Sequence, residues 1–121
     1  MYLRKHAITV TTTTATTGTF STTLALSGRV YAVEHIRGAT PLSSTAAIVL
    51  KTGTNSITIV SGLTATTGNW MYLPRIKERT STGVIATAGM FPIGGEKISA
   101  VVSNTTAASQ GGTINVYEEG V

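Results

Sequence analysis

At 121 residues the chain is long enough for one hydrophobic core and too short for two, since independent domains usually run to about 100 to 200 residues. The absence of cysteine excludes disulfides and thiolate metal sites, and nine Lys and Arg against five acidic residues, every one a Glu, leave a net charge of +4 that favours an acidic partner without specifying it. Threonine is nearly a fifth of the residues and Val and Ile add to it, a β-branched composition that fits a pleated sheet and loses rotamer freedom in a helix.

In chain order, Tyr2-Leu3-Arg4-Lys5-His6 lacks the apolar stretch of about 7 to 15 residues that a secretory signal needs, and no run reaches the length of a membrane span. The expectation is a protein made and used without export, with no membrane partner. His6 to Thr11 alternates apolar and hydroxyl residues and reads as a first strand, broken at Ala15-Thr16-Thr17-Gly18. Residues 1–10 are a partner-contacting N-terminal arm or strand. Phe20, Leu24 and Leu26 share a parity and predict a second strand ending at Ser27-Gly28, so that residues 9–23 read as an exposed hairpin.

Arg29 to Arg37, β-branched and aromatic between Gly28 and Gly38, is the strongest strand and reads as central. Ala46–Lys51 and Ser56–Ser61 flank Thr52-Gly53-Thr54-Asn55 at hairpin spacing. Asn69 to Leu73 is a short strand ended by Pro74, which cannot donate to a ladder. From Arg75 to Gly89 no period is sustained, which predicts a long functional or partner-contacting loop. Ile98, Ala100 and Val102 form a further strand, Asn104 to Gly112 a loop, and Ile114 and Val116 a last strand. The whole fits a single-domain, all-β sandwich or jelly roll of about eight short antiparallel strands over residues 1–121.

Chemistry is scarce. The carboxylates are Glu34, Glu78, Glu96, Glu118 and Glu119 and the histidines His6 and His35, too few for most acid-base enzymes, which orient a poised group with a second ionisable one. Glu34 and His35 are neighbours on a strand and point to opposite faces. His35 shares the parity of Tyr31 and Val33 and reads as a packed structural residue, His6 as a solvated one. No Gly-x-Ser-x-Gly elbow is present, and the residues offer no metal or cofactor site. Gly94-Gly95 and Gly111-Gly112 lack the strand-loop-helix context of a phosphate loop and read as turns. No catalytic residue is assigned, and the expectation is a protein that is not an enzyme.

Arg75-Ile76-Lys77-Glu78-Arg79 carries three cations on alternate positions just after Trp70 and Tyr72. Extended, it would project Arg75, Lys77 and Arg79 from one face as a docking stripe for an acidic protein surface or phosphates, against the plainer reading of a solvated loop. Seven aromatics scattered among nine cations do not make a nucleic-acid surface, which needs a denser basic patch with stacking rings. Protein contacts are therefore favoured.

Five segments carry a resemblance: the Thr-rich opening that ends in Ala15-Thr16-Thr17-Gly18, Ser27-Gly28-Arg29-Val30-Tyr31-Ala32-Val33, Trp70-Met71-Tyr72-Leu73-Pro74-Arg75, Gly95-Glu96-Lys97-Ile98, and Gly111-Gly112-Thr113-Ile114-Asn115-Val116-Tyr117. Together they resemble small structural proteins of tailed-bacteriophage virions over most of the chain, with a departure in the lack of Asp. The resemblance implies a capsid decoration or cement protein on the exterior of the head. It further implies the major capsid protein as partner, self-association as a homotrimer, and synthesis in the host cytoplasm. The expected partner contacts are Tyr2, Leu3, Arg4 and Lys5, then Trp70, Tyr72, Arg75, Lys77 and Arg79. The alternative is a tail, neck or fibre component, with carbohydrate or host-surface binding through exposed Trp70, Tyr72 and neighbouring hydroxyls.

Overall fold

The computed structural model describes residues 2–63, 68–79, 85–105 and 107–120. Among them the β-branched runs form ten strands: β1 (Tyr2–Thr11), β2 (Thr17–Ser21), β3 (Arg29–Arg37), β4 (Ala47–Thr52), β5 (Thr58–Leu63), β6 (Trp70–Tyr72), β7 (Arg75–Arg79), β8 (Ile85–Pro92), β9 (Ile98–Ser103) and β10 (Gly111–Gly120). They make two antiparallel sheets. One runs β1-β10-β3, with β6 and β8 both pairing β3 and β7 beyond β8; the other runs β2-β9-β4-β5. Without the β7–β8 pair, each sheet has four strands.

The two sheets close over one core, as a β-sandwich. Alternation along the strands turns Ile8, Val10, Val33, Ile114 and Val116 of the first sheet toward Ile48, Leu50, Ile98, Ala100 and Val102 of the second, and all are buried. Leu26, Leu42 and Ile93, from the segments between strands, complete the core. The inward positions named within the strands follow from the period of two that a pleated strand imposes.

Several expectations are corrected. The eight strands of the two four-stranded sheets are as expected, but Arg75 to Gly89, expected as a loop, holds β7 and part of β8. Among the described residues this strand pair meets the main sheet where Arg29 and Val30 pair with Pro92 and Phe91, so little of the described backbone lies along the core strand and no regular alternation is demanded of it. Residues 9–23 are not a hairpin: β1 and β2 lie in different sheets. The second strand ends at Ser21, leaving Leu24 exposed, while Leu26 reaches the core through a single bridge to Glu96.

Gly94 and Gly95 lie outside the strands, and Gly95 has a φ of 76°, the left-handed region that suits glycine. Gly111 and Gly112 are not a turn. They open β10, pairing with Thr11 and Val10 on one side, and Gly112 pairs with Arg37 on the other. A side chain at Gly111 would run into the Val10 carbonyl oxygen. Close approach of three strands, rather than chain reversal, is the reason for glycine there.

Candidate partner-binding surface

The few ionisable groups are built into the fold. His6 is buried, against the expectation of a solvated ring, because β1 pairs with β10 along its whole length and sets His6 on the core face. Its Nε2 lies 3.0 Å from Oε1 of Glu118, which is 1% exposed, and the backbone N–H groups of Ser27 and Gly28 each donate to Oε2 at 2.7 Å. Burial raises the Glu118 pKa, but the bonds from His6, Gly28 and Ser27 outweigh it and hold the carboxyl below its ordinary value. Since an ionised carboxylate only accepts, His6 carries its proton on Nε2.

Glu96 accepts from the Thr54 and Asn55 backbone at 2.8 and 2.7 Å and from Asn55 Nδ2 at 3.0 Å, tying the β4–β5 turn to the segment between β8 and β9. The Asn55 backbone bond is the main cause of its lowered pKa, overcoming partial burial. Glu34 accepts from Asn115 Nδ2 and from the Tyr117 hydroxyl, each at 3.0 Å, and the bond it accepts from Tyr117, followed by burial and the Glu34 charge, raises the Tyr117 pKa. Glu119 pairs with Arg29 at 3.6 Å. His35 is buried as expected; its Nδ1 donates to the Gly68 carbonyl at 2.7 Å, and its ring stacks on Trp70 with centroids 5.3 Å apart. Among the described residues no group of three or more His or Glu could hold a metal.

The outer face of the first sheet is different. Register sets Tyr117 of β10 opposite Ala32 of β3 and Lys5 of β1, and Met71 of β6 opposite Glu34. Between Tyr117 and Glu118 the β10–β3 register shifts, leaving Tyr31 as the extra residue between Val30 and Ala32. Such a bulge re-aims a side chain: Val30 stays in the core while Tyr31 is exposed beside Ala32. An open apolar groove of about 330 Å³ results, lined by Leu3, Tyr31, Ala32, Met71, Leu73 and Tyr117. Leu3, Met71 and Leu73 are each more than half exposed.

The expected contact residues are dispersed over this sheet. Leu3 lines the groove, and Lys5 is its exposed neighbour on β1. Tyr2 and Arg4 lie at the exposed start of β1, with the Arg4 guanidinium 5.4 Å from the Tyr2 ring centre. Residues 2–10 are thus a paired edge strand, not a detached arm. Tyr72 is exposed, but Trp70 is half-buried, stacked on His35 and packed on the core, with its indole nitrogen buried. Arg75, Lys77 and Arg79 fall on alternate positions of β7, whose ladder partner is β8.

Tyr31, Met71, Leu73 and Tyr117 line this groove but were not singled out from the sequence. Each lies in an apolar or aromatic run that could equally be core, and only the sheet register separates the two.

No known protein family and no curated protein matches the chain. It is similar in structure to a chain of the cyanophage Pam1 capsid asymmetric unit, at 17% identity and a TM-score of 0.44, over 95% of this chain and 81% of that one.

Proposed function

We propose that this chain is a structural protein of a tailed-phage virion, a decoration protein that binds the outside of the head and bridges capsid subunits, self-associating as a homotrimer. The observation that carries the reading is where the polar groups go. Both histidines and Glu34, Glu96, Glu118 and Glu119 are held by partners within the fold, while the outer sheet face offers a surface for contact rather than for reaction. A protein so built acts by covering and being covered.

Two further observations support it. The segments that resemble virion proteins include Ser27 to Val33, Trp70 to Arg75 and Gly111 to Tyr117, which supply the strands of the outer face. The strand order β1-β10-β3-β6 over β2-β9-β4-β5 also follows the alternation of a jelly roll, an architecture used by viral capsid and lectin domains; this is an analogy of fold, and sites rather than folds define function. Bridging adds stability as any ligand of the native state does, by mass action.

The test is reconstitution. Heads of the phage that encodes the chain, prepared without it, should bind the purified protein in hundreds of copies per particle by quantitative mass spectrometry, and should then resist heat better. Failure to bind, or a stoichiometry of only a few tens, would remove the decoration reading and favour a tail or neck position.

A further inference from the structure

We infer that the open edge of β7 receives an extended partner segment with carboxylates on alternate residues, which joins the sheet as a further antiparallel strand. The inference is independent of the virion reading, since it rests on this edge and its charges alone. Among the described residues β7 is the last strand of its sheet: β8 pairs with one side of it and no strand with the other. Outward N–H and C=O groups recur along such an edge at every second residue, and the ligand that matches this spacing is another extended chain.

The charges say which chain. Arg75, Lys77 and Arg79 have one parity and share a face of β7, with Ile76 and Glu78 on the other. The β7–β8 register shifts where Lys77 and Arg79 stand opposite Ala88 and Ile85, so the extra residue belongs to β8 and β7 keeps its alternation. From Ile85 to Pro92, β8 has no charged residue to set against these cations. Residues directly opposite on neighbouring strands share a face, where unlike charges attract and like charges repel. The place left for matching carboxylates is a strand added at the open edge. One charge is enough to guard an edge against aggregation; three at intervals of about 6.8 Å also select what joins it.

A second copy of the chain does not meet this requirement. Two antiparallel copies of one edge pair residues of like parity, because both turn their outward backbone groups to each other. Registers that overlap the stripe then set cation on cation, as Lys77 on Lys77 with Arg75 on Arg79. The other edge strands, β1, β2 and β5, carry no carboxylate to offer instead. Nucleic acid is disfavoured because no ring lies within residues 75–79 for a base to stack on.

The experiment follows amide NMR shifts and amide hydrogen exchange of the full chain with four probes. These are the capped pentapeptides Glu-Val-Glu-Val-Glu, Glu-Glu-Glu-Val-Val and Lys-Val-Lys-Val-Lys, and a thymidylate pentanucleotide. The first peptide should shift the β7 amides and slow exchange of those on the open edge at least tenfold. The second, of the same composition without the alternation, should protect them at least threefold less, and the other two should not protect them. Lys77→Glu should weaken binding of the first peptide at least tenfold and Lys77→Gln in the same direction, while Glu78→Gln, on the other face, should not weaken it. Unchanged amide shifts in β2, β9, β4 and β5 verify that each variant is folded.

No protection by the first peptide would leave the cations as edge guards alone and overturn the inference. Equal protection by the second would overturn the alternating register, and equal protection by the thymidylate would assign the stripe to phosphates. Protection of β7 that rises with protein concentration alone would give the edge to a second copy.

Discussion

Replacing Glu118 with alanine should lower the unfolding free energy by about 3 to 5 kcal/mol, the range expected when several buried donors lose one shared acceptor. The loss is large because three donors are stranded at once. The N–H groups of Ser27 and Gly28 and the His6 ring converge on this one carboxylate, and each buried donor left unpaired costs about 1 to 3 kcal/mol. Glu118→Gln keeps the shape but places an amide NH2 where a donor already points. It should cost less than alanine and still be clearly measurable by chemical denaturation.

The same carboxylate sets an acid limit. Its pKa is lower folded than its ordinary value of 4.5, so its contribution is complete above that value and is lost as the pH falls from there through the folded pKa. Wild type should therefore lose stability steeply below about pH 4.5, and Glu118→Ala should show a shallower decline. Glu96, also lowered, contributes a slope of the same sign that persists in the variant. A Glu118→Ala protein within about 1 kcal/mol of wild type would show that the buried network is not what joins β1, β10 and the Ser27-Gly28 corner.

Gly111→Ala should be the second costly change, by about 1 to 3 kcal/mol. The added Cβ meets the Val10 carbonyl oxygen, a backbone atom held in the β1–β10 ladder, and rigid backbone cannot yield as the end of a flexible side chain can. At this chain length the change should lower the Tm by several degrees, about 3 to 6 °C for each kcal/mol. Gly94→Ala is the matched control, since nothing lies within 4 Å of its Cβ position. It should be neutral or slightly stabilising, through the reduced entropy of the unfolded chain. Equal melting of both variants would sink the close-approach argument.

The central strand Arg29–Arg37 was legible because its β-branched residues are bounded by glycines, and local propensity agrees there with tertiary position. The β4–β5 hairpin was legible for a similar reason, its turn being encoded between two apolar runs. Leu24 and Leu26 were not separable by pattern: they share a parity, yet β2 has ended before them and, of the two, Leu26 is the one buried in the core. His6 looked solvated because nothing near it in sequence could pair with it. Its partner is 112 positions away, a distance that periodicity does not span.

Alone, the sequence determined the class of this protein: sheet rather than helix, one small core, no thiol chemistry, an excess of positive charge, and too few acid-base groups for most enzymes. These follow from composition and from a side-chain period of two, which act locally. The tertiary structure decided which members of each apolar run face inward, how the acidic groups are shared, and where exposed apolar side chains gather. One inserted residue at Tyr31 shows why. A bulge depends on the register between β3 and β10, and register is set by partners far apart in the chain.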